Sequence, residues 1–124
     1  MTPQRAAPPV VAIRVAVFVA ILFAGAAAAQ NATRSFTHTI RVRAAAEECV
    51  RLSAGESIHY AFEASAPVEF NVHFHRGDAI EYPVRSGALA RADERFTAPS
   101  AEEYCLMWTN QSQKTVTVKG TLST

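Results

Sequence analysis

The sequence predicts an all-β domain: an antiparallel, jelly-roll-like sandwich of about eight strands, stapled by one disulfide and preceded by a cleaved signal peptide. Three features point there. Apolar and polar residues alternate with period two along most of the chain after residue 30, and no stretch keeps a helical apolar period for three turns. Turn-forming residues punctuate these runs at about ten-residue spacing, the rhythm of a sandwich or small barrel. Two cysteines sit in a chain whose N-terminus reads as an export address.

The address is residues 1–29. Arg5 and Arg14 are the only charged residues before Arg34, and the run Val15–Ala24 has the length of a signal-peptide core. Ala27-Ala28-Ala29 fits the small-x-small rule for cleavage before Gln30. A membrane anchor is the rival, but Arg14 interrupts the apolar run from Val10 to Ala29, and no positive stop follows it. Residues 30–124 then form one domain without a membrane anchor, exported to the periplasm or beyond. The Ala- and Arg-rich composition points to a bacterial source.

The strands follow in order. Phe36, His38, Ile40 and Val42 share one face of a first run, and Cys49–Leu52 is a short second. Ile58, Tyr60 and Phe62 alternate with His59 and Glu63 in a third. Val68, Phe70, Val72 and Phe74 alternate with Glu69, Asn71, His73 and His75 in a fourth, the clearest in the chain. Ile80, Tyr82 and Val84 make a fifth, and Arg95-Phe96-Thr97 a short sixth. Tyr104, Leu106 and Trp108 alternate with Cys105, Met107 and Thr109 in a seventh, apolar on both faces and so central; Val116 and Val118 mark an eighth. Ser65-Ala66-Pro67 reads as a turn, and Ser86–Glu94 as a loop. Across Gly77-Asp78, a three-residue turn flanked by His75 and Ala79 sets Phe74 opposite Ile80, Val72 opposite Tyr82 and Phe70 opposite Val84, so that apolar meets apolar. Pro83 lacks a ladder donor and suits an edge strand.

Charge and motifs exclude several function classes. Without Arg5 and Arg14, ten Lys and Arg face eleven Asp and Glu, a net charge near −1, so no basic field invites nucleic acid. No phosphate-cradling glycine loop, zinc-protease helix or nucleophile elbow is present. Two cysteines are too few for a zinc ribbon or an iron–sulfur site. Outside the cytoplasm Cys49 and Cys105 favour a bridge over two buried free thiols. No nucleophile stands beside a base, and Glu47-Glu48 and Glu102-Glu103 read as solvated charges, so the domain is expected not to be an enzyme.

The last two runs carry a family pattern. Tyr104, Cys105 and Trp108-Thr109-Asn110, followed by Lys114-Thr115-Val116, resemble the end of a GOLD (Golgi dynamics) domain. Arg95-Phe96-Thr97-Ala98 looks like that family's preceding strand, and Cys49 with Gly55-Glu56 like its opening cysteine region. Cys105 sits two residues earlier than in the family pattern, on the same strand face. The resemblance covers about residues 36–122. It implies an eight-stranded β-sandwich, a bridge of the Cys49–Cys105 kind and a role in binding other proteins.

His73 and His75 are the sharpest chemical feature. An H-x-H on a strand puts both rings on one face, about 7 Å apart at the backbone from roughly 3.3 Å of rise per residue. The three-residue turn would set Glu81 opposite His73, completing two nitrogens and a carboxylate suited to Zn²⁺, Cu²⁺ or Ni²⁺, with Asn71 as a supporting group. The plainer account is an exposed polar pair on the face opposite Phe70, Val72 and Phe74. His59 joins the set only if the third and fourth runs form a hairpin. A cupin is rejected, because His75 to Glu81 is too wide for its first metal motif and no histidine follows. His38, on the apolar side of its strand, is expected to be a satisfied core or edge histidine rather than a ligand. Trp108 and Met107 read as core, and a sugar-binding platform is left without rings, because its candidates Tyr82 and Trp108 are both assigned inward. Arg76-Gly77-Asp78 reads as a turn rather than an adhesion motif. Asn31 and Asn110 match the glycosylation pattern but carry nothing in a bacterium. The expected function is therefore an exported, non-enzymatic domain that binds a protein. The alternative is a small periplasmic metal-binding protein using His73, His75 and Glu81.

Overall fold

A computed structural model describes residues 1–3 and 32–124. Most of the stretch read as a signal peptide, and Asn31 of the glycosylation pattern, lie outside the described residues. The described chain is all β and antiparallel, with strands β1 (Thr33–Ile40), β2 (Ala45–Leu52), β3 (Ser57–Arg76), β4 (Ala79–Thr97), β5 (Glu102–Thr109) and β6 (Val116–Ser123). They form one curled sheet in the order β1-β6-β3-β5-β2, with β4 on the remaining edge of β3.

Six strands replace the eight expected. The third and fourth runs are one strand, β3, and the fifth and sixth are one strand, β4. The first half of β3 pairs with β6, from His59↔Ser123 to Ala64↔Val118. The second half pairs with β5, from Glu69↔Thr109 to His73↔Cys105. Between them the register with β4 shifts at Glu63/Val68, around the stretch read as a turn. Pro67 has no donor for a ladder, so the strand bends there instead of stopping. Ser65 Oγ accepts the Thr117 N–H at 2.9 Å where β6 leaves β3. The bend divides the sheet into two arms that share β3 and β4: one adds β6 and β1, the other β5 and β2.

The stretch read as a loop, Ser86–Glu94, is strand as well. Among the described residues β4 pairs only with β3, and of its own residues only Phe96 is buried, so nothing demands apolar alternation from it. Its irregularities at Glu69/Phe70 and Val72/Phe74 are bulges of the kind that protect a sheet edge.

The core lies where the arms face each other. Trp108 of β5 meets Phe36 of β1 at 4.8 Å, Phe62 of the first half of β3 at 5.5 Å and Phe70 of its second half at 5.6 Å, ring centre to ring centre. Tyr104, central as expected, takes Phe74 and Phe96 at its edges. The free edges of β1 and β2 meet through side chains: Arg34 and His38 both hold the Glu48 carboxylate, at 2.8 and 2.9 Å. Asn110, fully buried, ties the β5–β6 connection to the end of β1. Its Nδ2 donates to Ile40 O and Lys114 O, and its Oδ1 accepts from Ser112 N and Oγ. The Asn110 amide read as a glycosylation acceptor is thus committed inside the fold.

Gly120 of β6 faces inward, and a Cβ there would meet Ala61 O at 2.3 Å and Phe36 Cζ at 2.5 Å. Backbone on one side and a packed ring on the other leave little to yield. Gly120→Ala is expected to destabilise by about 1–3 kcal/mol through overpacking, read as a lowered urea midpoint.

Candidate functional site

The outer face of the arm formed by β2, β5 and the second half of β3 holds most of the chemistry. Alternation decides which residues reach it. In β2 the even positions 46–52 turn inward, so Glu47 and Cys49 turn out. In β5 Tyr104, Leu106 and Trp108 fill the core, so Cys105 and Met107 turn out. In β3, Asn71, His73 and His75 oppose the core residues Phe70, Val72 and Phe74. The registers Cys49↔Cys105 and His73↔Cys105 then place Cys49, Cys105 and His73 in one row across three strands. Cys49 and Cys105 form a disulfide, as expected, with its sulfurs 2.02 Å apart.

His73 is not the exposed residue its face implied: it is 4% exposed. The cover comes from its neighbours. Tyr82 lies 5.8 Å from its ring and His75 meets it edge-on at 5.5 Å. Arg85 in turn rests on Tyr82, its guanidinium 3.9 Å from the ring centre. Tyr82 was expected inward, and the bulge puts it here. Val72 pairs with Val84 and Phe74 with Glu81, so Tyr82 and Pro83 together span the single residue His73.

The same register removes Glu81 from the expected metal set. The turn holds two residues, with Arg76 paired to Ala79, and Glu81 stands opposite Phe74 rather than His73. It makes an ion pair with Arg76 at 2.9 Å. His59 lies on the other half of β3 and bonds Asp93 at 2.5 Å, so the bend keeps it away. His38 is satisfied, as expected, and of the two places left open it takes the edge, on β1, bonded to Glu48. Trp108 is wholly buried, and the turn reading of Gly77-Asp78 holds.

Glu47 takes the place foreseen for Glu81. Among the described residues, ligand atoms of Glu47, His73 and Cys105 lie within 4.8 Å of one another. Glu47 and His73 stand on strands flanking β5 and reach toward each other above Cys105. Alternation in β2 puts Glu47 on the face of Cys49, which was a legible signal; that β5 adjoins the second half of β3 was not. Asn71 fixes the ring: its Oδ1 accepts from His73 Nδ1 at 2.8 Å. With the hydrogen on Nδ1, the neutral ring presents Nε2 as a bare lone pair. That Nε2 faces a Glu47 carboxylate oxygen at 3.5 Å, longer than a hydrogen bond between charged partners.

Burial pushes the His73 imidazole below its ordinary value of 6.5; His75 adds to the depression, and Glu47 opposes it. The folded state therefore disfavours protonation of a ring that protonates freely when unfolded. Stability is full above 6.5 and is lost as pH falls from there toward the lower folded value. His73→Gln is expected to flatten this acid limb in urea midpoints measured across that window.

No protein-family model matches the chain, and no curated protein matches it. Among solved structures it is similar to Aeromonas hydrophila PliG, a periplasmic lysozyme inhibitor of g-type lysozyme. The TM-score is 0.52 at 15% sequence identity, covering 77% of this chain and 89% of that one. At that identity the likeness is one of fold.

Proposed function

We propose that this chain is an exported, non-enzymatic binding domain whose ligand is a protein, and that its partner is an enzyme it inhibits. The fold shared with a periplasmic lysozyme inhibitor carries this reading. The Cys49–Cys105 bridge suits an oxidising compartment, and the GOLD-like pattern of residues 95–116 fits a binding role of the same kind. A candidate contact surface is the polar groove of about 330 Å³ on the outer face, lined among others by Glu69, Asn71, Tyr82, Arg85 and Met107. The stacked Tyr82 and Arg85 belong to the residue types that anchor interfaces.

The test is direct. The purified protein is titrated into g-type and c-type lysozymes, with residual cell-wall hydrolysis and complex formation as the readouts. The expected result is stoichiometric loss of activity of one of them, weakened at least about tenfold by Tyr82→Ala with Arg85→Ala, a hot-spot loss of more than 1.4 kcal/mol. Full activity of both enzymes at equimolar protein, with no complex, would overturn the inhibitor reading.

A further inference from the structure

We propose that the Cys49–Cys105 disulfide gates a metal site: reduced, the two thiolates join His73 Nε2 and the Glu47 carboxylate as a four-donor set for Zn²⁺ or a similar thiophilic ion. Cys49, Cys105 and His73 occupy one row across three paired strands, and Glu47 shares the face of Cys49 two residues away. The Glu47, His73 and Cys105 donor atoms already lie within 4.8 Å of one another. His73 is buried, and Asn71 orients it so that Nε2 carries the lone pair. That lone pair confronts a carboxylate oxygen at 3.5 Å. The ring is covered while the Glu47 carboxylate opens to solvent, so two acceptors turned toward each other leave a cation between them an entry from outside. Holding the second ring nitrogen on a carbonyl is how metal-binding histidines are commonly oriented.

In the disulfide state the sulfurs are bonded to each other and supply no thiolate. Two donors remain, one nitrogen and one oxygen. Reduction changes the count. A dithiol reductant attacks at Cys49, the exposed partner, through a mixed disulfide. The reductant leaves as its own disulfide, and Cys49 and Cys105 each gain one proton and, between them, two electrons. On binding, each thiol gives its proton to solvent and each sulfur donates an electron pair to the metal. With zinc–sulfur bonds of about 2.3 Å, tetrahedral sulfurs stand about 3.8 Å apart. Side-chain rotation from a directly opposed pair, with Cα atoms 4.0 Å apart, reaches that separation without moving a strand. Mixed sulfur, nitrogen and oxygen donors suit Zn²⁺, and the thiolates disfavour Mg²⁺ and Ca²⁺.

The experiment is a Co²⁺ titration of the purified protein under anaerobic conditions, before and after reduction with a dithiol that is then removed. The readout is the thiolate-to-cobalt absorption band, with near-ultraviolet circular dichroism reporting that the fold is intact. The expected result is no band in the disulfide form, and one equivalent in the reduced form that Zn²⁺ displaces. Asn71→Ala, which frees the ring, is expected to weaken binding by about 10- to 100-fold, and His73→Ala by at least as much. Cys49→Ser leaves Cys105 free without reductant and gives a three-donor version of the same site. Absence of the band in both the reduced chain and Cys49→Ser would overturn the proposal. So would an affinity unchanged in His73→Ala, which would mean that the cysteines bind alone. Loss of the fold in both forms would overturn it too, since the site would have no frame.

Discussion

Trp108→Ala is expected to lower stability by about 3–5 kcal/mol, the upper range for deleting a buried aromatic. The indole is wholly buried and touches rings from both arms of the sheet: Phe36, Phe62 and Phe70. A cavity there cannot close by one side chain shifting, because its walls belong to strands held in a common sheet through β3. Trp108→Phe should cost much less. The indole Nε1 is buried with no partner among the described residues, so phenylalanine removes an unpaired donor along with some volume. Trp108 is the chain's single tryptophan, so urea unfolding of these variants is followed by far-ultraviolet circular dichroism rather than fluorescence. A loss below about 1 kcal/mol in Trp108→Ala would mean that the two arms do not depend on each other for burial.

Replacing both cysteines, Cys49→Ser with Cys105→Ser, is expected to cost about 4 kcal/mol in the chain-entropy account of a disulfide. The bridge closes a sequence separation of 56 residues, which contains all of β3 and β4. Its effect falls on the unfolded chain, so the slope of stability against urea should rise as the freed chain exposes more surface. Calorimetry and urea titration of the two forms at one pH measure both effects. An equal midpoint would mean that the β2–β5 ladder alone holds that edge.

The parts of the fold legible in the sequence were those governed by local alternation. Val68–Phe74 and Tyr104–Trp108 each send one set of residues into the core and announce it with period two. The cysteines declared their bridge through their even number and an N-terminal stretch read as an export address. β4 was hidden because it lies on an edge: its alanines and arginines satisfy a ladder without needing to alternate. Pro67 looked like a turn because proline stops most ladders, whereas here it bends a strand that continues. The site was half legible. His73, His75 and Asn71 share a face, as strand geometry requires. Matching apolar residues across the Gly77-Asp78 turn called for three turn residues and an unbroken register; the turn holds two, which sets Phe74 against Glu81, and the bulge at Tyr82-Pro83 then moves the partners of Val72 and Phe70 one further. Glu47 could not be paired with His73 from sequence, since a third strand, β5, stands between them.

The β1–β6 ladder has a consequence for the order of folding. Thr33 pairs with Ser123 and Ile40 with Val116, so the first strand finds its neighbour only in the last. A nascent chain leaving the ribosome cannot complete this sheet until β6 has emerged, and until then β1 keeps an unsatisfied edge. What can form early is the β3–β4 hairpin, whose pairing grows outward from the two-residue turn at Gly77-Asp78 and closes only short loops. Folding is therefore expected to start at the β3–β4 hairpin and to end with the docking of β1 on β6.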